Sequence, residues 1–246
     1  MCEYIAIDLE MTGLKIQTDR ILEIGAVKIS GSSLGETFQT FVNPHRELNS
    51  EITKLTGITD RMVADALDEK DALQDFLEFA GDLPLIGHNV KYDYGFLKQC
   101  AVNHGIKFNR KTIDTLKIAR KLLKEPEKKN LESLCACFGI AQDNAHRAQD
   151  DAVAAAKLFL LLKNKYFDSE PDLFEPKELQ FHVKKQEPLT PAQKRDLNHL
   201  LIYHKIEPNI DIDSLTRSEA SRMIDRIYAR YGRIQNQEES EHVQEF

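Results

Sequence analysis

Three strand-patterned runs crowd into the first 42 residues of the chain, at 4–10, 21–29 and 37–42, with turn-prone stretches at Thr12-Gly13 and Gly31-Ser32-Ser33-Leu34-Gly35 between them. Connections this short join antiparallel neighbours, because a parallel pair needs a crossover of a dozen residues or more. Beyond residue 50 the apolar period lengthens to that of a helix. Helices are predicted over residues 50–56, 69–80, 92–103, 116–123, 131–138 and 148–166, with short strands at 83–87 and 112–114. In the 69–80 segment, for example, Ala72, Leu73, Phe76, Leu77 and Ala80 make one apolar stripe. Strands first and strand–helix alternation later predict an α/β fold, a mixed five-stranded sheet flanked by helices.

The 246 residues include 33 basic and 40 acidic ones, a formal net charge of -7. A polyanion gains nothing from the molecule as a whole, so any nucleic-acid contact has to be local. No apolar run approaches the ~20 residues that cross a bilayer. The start, Met1-Cys2-Glu3-Tyr4, lacks the basic and apolar regions of a secretory signal. The expected location is cytoplasmic, with no membrane partner. The cysteines, Cys2, Cys100, Cys135 and Cys137, include no Cys-x-x-Cys pair and are expected to be reduced packing residues rather than zinc ligands.

Pro171, Pro176 and Pro188, set among Asp168, Glu170, Asp172 and Glu175, mark an acidic linker over 167–189. It divides a first domain, 1–166, from a small module at 190–233. Thr190-Pro191-Ala192-Gln193 and Thr216-Arg217-Ser218-Glu219 are both capping boxes, so each should start a helix. Leu197, Leu200, Leu201 and His204 form the apolar stripe of one; Ala220, Met223, Ile224, Ile227 and Tyr228 form that of the other. Residues 234–246, rich in glutamate, are expected to be a flexible acidic tail.

Strand side chains alternate faces, so Asp8 and Glu10 share one face while Ile7 and Leu9 take the other. Like charges side by side in a sheet repel, and a divalent cation held by oxygen ligands compensates them. A third acid, Asp93, opens the 92–103 helix on the stripe of Leu97 and Cys100, which turns it inward. At the start of 148–166 two acids compete. Asp151 shares its stripe with Ala155, Leu158 and Leu162, whereas Asp150 aligns with Lys157 and Asn164, so Asp151 is the inward one. His146 precedes that helix on a loop. Glu23 is expected to face its own strand neighbours and is left out of the site.

The motifs Asp8-Leu9-Glu10-Met11-Thr12-Gly13-Leu14, Asp19-Arg20-Ile21-Leu22-Glu23-Ile24-Gly25-Ala26-Val27, Gly87-His88-Asn89 with Asp93, and His146-Arg147-Ala148 with Asp151 occur in an order that resembles the DEDD exonuclease superfamily. Histidine five residues before the last acid matches its histidine, DnaQ-like subclass. The likeness is greatest to the proofreading exonuclease of bacterial DNA polymerase III, epsilon or PolC type. Thr56-Gly57-Ile58-Thr59-Asp60 and Asp114-Thr115-Leu116 also look like that family.

The resemblance implies an RNase H-like fold and 3′→5′ hydrolysis of phosphodiester bonds at the 3′ ends of mainly single-stranded DNA, releasing nucleoside 5′-monophosphates. It also implies two divalent ions, Mg²⁺ or Mn²⁺, held by Asp8, Glu10, Asp93 and Asp151, with Asp8 shared between them. His146 would be the general base, a role suited to a side chain that ordinarily titrates between pH 5 and 8. Thr12, Gly13 and Leu14 would hold the terminal nucleotide, Leu14 against its base, with His88 and Asn89 beside the strand. A polymerase subunit is the partner that family analogy suggests. Two other readings keep parts of this: an exoribonuclease of the RNase T or oligoribonuclease kind, and a non-catalytic nucleic-acid-binding adaptor.

In the C-terminal helix pair, Arg222, Arg226, Arg230 and Arg233 recur along the face opposite Met223, Ile227 and Tyr228. They are candidate phosphate contacts without base reading. A solvated face with pairs such as Arg222 and Asp225 is the plainer reading.

Overall fold

The computed structural model describes residues 3–142 and 145–234. The chain divides into two compact units, Met1–Lys185 and Gln186–Phe246. The expected tail from residue 235 onward lies outside the described residues.

The first unit opens with an antiparallel meander of β1 (Glu3–Met11), β2 (Ile21–Ser30) and β3 (Ser33–Phe41). The β2–β3 turn is only Gly31 and Ser32, tighter than the five-residue turn read from the sequence. Gly31 sits at φ 61°, which glycine adopts without penalty, and Ser30 already pairs with Ser33. Helices α1 (Ser50–Thr56), α2 (Asp60–Val63) and α3 (Glu69–Ala80) follow. Then β4 (Leu85–Gly87), α4 (Lys91–His104), β5 (Lys111–Asp114), α5 (Thr115–Leu122), α6 (Leu131–Phe138) and α7 (Ala148–Tyr166) alternate strand with helix. β4 runs parallel to β1, and β5 parallel to β4.

The sheet has six strands in the order β3-β2-β1-β4-β5-β6, one more than expected. The sixth, β6 (Lys177–Glu178), pairs antiparallel with β5 inside the stretch read as linker. That stretch is not free chain as far as Lys185. Phe174 is fully buried beside Phe159, and Leu179 and Phe181 pack on the core of the opposite face. Prolines and acids announce a linker, but three large apolar side chains among them find a surface to cover, and complete burial of the kind Phe174 achieves contributes roughly 1.5–3 kcal/mol.

Side-chain alternation along β1 sorts the core into two layers. Ile5, Ile7 and Leu9 pack against α3 and α4, while Tyr4 and Ala6 pack against α5, α6 and α7. Asp8 and Glu10 continue the second set, so they face α7 where the apolar cover ends. The register places Gly25 opposite Asp8 and Glu23 opposite Glu10, both on that same face. A β-bulge between Glu10 and Met11 breaks the ladder there, a common device beside functional sites.

The second unit is a helix pair, α8 (Pro191–Tyr203) and α9 (Arg217–Tyr231). Both capping boxes form: Thr190 Oγ1 accepts from the Gln193 N–H at 3.2 Å, and Thr216 Oγ1 from that of Glu219 at 3.3 Å. Leu197, Leu200, Leu201, Leu215, Ala220 and Ile227 make the core. Tyr228, expected on the apolar stripe, is 37% exposed, while its neighbour Ile227 is buried in the core.

Candidate active site

Four acids from three elements converge at the C-terminal ends of β1 and β4. Glu10, Asp93 and Asp151 are buried and Asp8 is partly so. Burial first, then the charges of Asp93, Asp151, Glu10 and Glu23, push the Asp8 carboxyl well above the ordinary range. Glu10 is pushed up to about 8 by burial, then by Asp151, Glu23 and Asp93, with Arg147 pulling the other way. Asp93 is pushed up to about 7, mainly by burial, although the Leu9 N–H donates to its Oδ1 at 3.1 Å and opposes the rise. Asp151 is also raised by burial, against the lowering effect of the His146 N–H at 3.1 Å and the Gln142 amide at 2.7 Å. Burial is the first cause of each rise, and at Asp8 and Glu10 the neighbouring carboxylates add to it, a local deficit of positive charge.

Glu10, His146 and Asp151 each offer a ligand atom within 4.8 Å of the other two, a grouping able to hold a cation. His146 is exposed and sits at φ 66°, a left-handed turn just ahead of α7. Its own N–H is held by Asp151, so the acid that joins the cluster also anchors the peptide that presents the imidazole.

Gly25 explains how α7 comes so near. A Cβ there would lie 2.1 Å from the backbone carbon of Ala148 and the nitrogen of Gln149. Only a hydrogen fits, and the first turn of α7 therefore rests directly on β2 beside Asp8.

Glu23, set aside on sequence grounds, belongs to this surround. It is completely buried and accepts from Arg147 Nε at 3.1 Å, from Arg147 Nη2 at 2.9 Å and from the Ala148 N–H at 3.2 Å, with Gln39 on its other side. The guanidinium also lies over the Phe41 ring, 5.3 Å from its centroid. Glu23 thereby consumes the cation nearest the acids and ties the start of α7 to β2. Two signals for it were present in the sequence: an antiparallel register facing Glu23 to Glu10, and an arginine next to His146.

Of the other sequence-predicted residues, Thr12 closes its own loop. Its N–H donates to the Arg20 carbonyl and its Oγ1 accepts from the Arg20 N–H, both at 2.9 Å. A Cβ on Gly13 would come within 2.4 Å of Asp19 Oδ2, which already receives the Lys15 N–H. The closed loop leaves Leu14 exposed at 62%. Asn89, at φ 68°, donates its N–H to Asp114 Oδ1 at 3.0 Å, the same oxygen that caps α5 through Leu116. His88 engages Thr115 Oγ1 at 3.0 Å and the Lys129 carbonyl at 2.8 Å, so both ring nitrogens are used within the protein. Its burial lowers its basicity. His88 and Asn89 nevertheless line an open depression of about 580 Å³, shared with Leu116, Arg120 and Lys129. Arg222, Arg226, Arg230 and Arg233 belong to the second unit.

A second cluster, Glu69, Cys100 and His104, is a helix staple. His104 Nε2 lies 2.9 Å from Glu69 Oε1, and Cys100 donates to the Glu69 carbonyl. Burial raises the Cys100 thiol far above its ordinary range, which keeps it protonated and packing. No helix among the described residues is long and apolar enough to cross a membrane.

The fold and this geometry have relatives. The DNA polymerase III PolC-type protein of Caldanaerobacter subterraneus subsp. tengcongensis is 40% identical over 163 residues, 66% of this chain and 12% of that protein. The PolC-type protein of Pediococcus pentosaceus is 30% identical over 234 residues, 90% of this chain and 16% of that one. DNA polymerase III subunit epsilon of Aquifex aeolicus is 34% identical over 158 residues, 64% of this chain and 78% of the subunit. The chain thus spans a small part of the PolC-type proteins and most of the length of the epsilon subunit. Among solved structures, exonuclease X in complex with 5′ overhanging duplex DNA superposes with a TM-score of 0.57 at 22% identity, over 71% of this chain and 100% of that one. E. coli exonuclease I in complex with a dT13 oligonucleotide does so at 0.60 and 19% identity, over 71% and 43%. These two likenesses establish the RNase H-like fold expected from the sequence. The profile of the RNase_T family, described as exonuclease, matches residues 5–159, and with a relative 34% identical over most of its length the chain belongs to that exonuclease family.

Proposed function

We propose that the protein is a metal-dependent 3′→5′ exonuclease that removes nucleoside 5′-monophosphates from the 3′ ends of single-stranded or frayed DNA. The observation that carries this reading is the convergence of Asp8, Glu10, Asp93 and Asp151, all with raised carboxyl basicity, beside the exposed imidazole of His146. Arg147, the cation nearest them, is bound to Glu23, so the deficit of positive charge fits divalent ions. An oxygen donor set favours Mg²⁺ or Mn²⁺, and two ions match four acids. When bound, such ions supply Lewis acidity at the scissile phosphate and neutralise the charge that develops there.

The chain's own residues supply the rest. His146 accepts the proton of the attacking water, and its exposure lets that proton pass on to solvent. Asp151 keeps the His146 backbone in place while the ring works. Leu14, left exposed by its closed loop, packs on the terminal base, with Thr12 and Gly13 shaping its approach. Asn89, oriented by Asp114, and the depression it lines take the strand next to the scissile bond, with His88 as part of the wall. The names of the relatives support DNA as substrate and a polymerase as partner.

The test is a 5′-labelled oligonucleotide incubated with Mg²⁺ or Mn²⁺, in DNA and RNA versions of one sequence. Stepwise shortening of the DNA is expected, abolished by chelator and by Asp8→Ala. Digestion that survives Asp8→Ala would remove the acid cluster from the mechanism; preference for the RNA would move the enzyme to the exoribonuclease class.

A further inference from the structure

The second unit carries a surface that the chemistry at the acid cluster does not use. Arg222, Arg226, Arg230 and Arg233 are all exposed, and none of them is ion-paired with a carboxylate among the described residues. The pairing with Asp225 that would make the stripe an ordinary solvated face does not form. From residue 217 to residue 233 there are five arginines against two acids. One of those acids, Glu219, is buried and spent on its capping box.

Arg222, Arg226 and Arg230 recur every four residues, so their Cα atoms step by about 6 Å along α9. That step is comparable to the separation of successive phosphates in an extended strand. A single last-turn arginine would suffice to complement the helix dipole; a row of them exceeds that need. Rings accompany the charges. Tyr203, Tyr228 and Tyr231 are 47%, 37% and 46% exposed in this small unit. The Arg230 guanidinium lies 5.4 Å from the Tyr231 centroid, and that of Arg233 lies 5.6 Å from the Tyr228 centroid. Guanidiniums without carboxylate partners, two of them beside exposed aromatic rings, fit a single nucleic-acid strand, which offers both phosphates and unstacked bases, better than an acidic peptide, which offers charge alone.

We propose that this helix pair is a grip for single-stranded DNA, in which the four arginines of α9 and its C-terminal end hold the phosphate backbone independently of sequence. The proposal rests on the nuclease reading only for the identity of the strand.

Anisotropy of 5′-labelled dT30 on the whole 246-residue chain, in chelator, measures the grip without hydrolysis. The variant R222Q/R226Q/R230Q/R233Q should bind at least tenfold more weakly. The slope of log K against log salt should fall by roughly 3, at about 0.7 per lost phosphate contact. The corresponding lysine variant, which keeps the charge, should stay within about threefold of the parent and guards against an effect of misfolding. Hydrolysis of the p-nitrophenyl ester of thymidine 5′-monophosphate with Mg²⁺ should be unchanged, since it engages only the acid cluster. Unchanged dT30 affinity in the glutamine variant, or weaker binding with an unchanged salt slope, would overturn the grip. Failure of the parent protein to cleave the ester would count against the nuclease reading and leave the binding result to stand by itself.

Discussion

Arg147 meets Glu23 through two hydrogen bonds, at 3.1 and 2.9 Å, across 124 residues of sequence. The pair joins β2 to the peptide between His146 and Ala148, so it fixes where α7 begins and with it where Asp151 and His146 lie. Removing one partner of a buried pair leaves the other uncompensated, at a cost of about 3–5 kcal/mol. Arg147 is 29% exposed, so the lower end of that range applies. Arg147→Met should therefore lower stability by about 3 kcal/mol in urea denaturation. It should also reduce kcat on a short oligonucleotide at least tenfold while KM moves little, because it displaces the base and not the substrate. A variant of normal kcat would show that the clamp is structural only.

Gly25→Ala tests the approach of α7 to β2. The added methyl has backbone on its far side rather than a flexible side chain, so the helix must shift. Overpacking of this kind costs typically 1–3 kcal/mol. The expected result is a lower Tm and a loss of activity well beyond what the stability change accounts for, on the order of a hundredfold for a displacement near 1 Å.

The acid cluster makes stability depend on pH. Glu10 at about 8 and Asp93 at about 7 stand above the ~4 of unfolded carboxylates. Between those values the folded protein holds protons that the unfolded chain has released, so stability falls as pH rises. In chelator, Tm should drop steadily from pH 5 to pH 8.5. Mg²⁺ or Mn²⁺ should raise Tm, and more at pH 8 than at pH 5.5, because the ions bind the deprotonated acids. A metal effect of equal size at both pH values would contradict the assignment.

Leu14→Ala should leave stability within about 0.5 kcal/mol, as expected of an exposed side chain. If Leu14 packs on the terminal base, the same change raises KM for oligonucleotides several-fold. Unaltered steady-state kinetics would withdraw that contact.

His146→Gln should cost about 10²–10⁴ in kcat, the usual worth of a positioned general base. Thermal unfolding should barely move, because the ring is exposed. Full activity in this variant would assign proton removal elsewhere.

Much of the fold and part of the site were readable in advance, for reasons that can be named. Period-two alternation sets Asp8 with Glu10, and the helical stripe selects Asp151 over Asp150; both rules depend only on neighbours a few residues away. Glu23 escaped because its charged partner, Arg147, lies 124 residues downstream, and the arginine beside His146 becomes a signal only once the two segments are set against each other. The sixth strand escaped because two residues among prolines carry no pattern. His88 illustrates a different limit: sequence marks the residue, but its two internal hydrogen bonds depend on Thr115 and on the Lys129 carbonyl, which come from separate segments.

Asp93 arrives from the helix layer on one face of the sheet, whereas Asp151 and His146 arrive from the layer on the other. The proposed catalysis therefore requires both layers to stay seated on β1 at once, a stricter condition than retaining helix and sheet. Enzyme turnover should fail at lower denaturant than far-ultraviolet ellipticity does, which makes it the more sensitive gauge of this protein's native state.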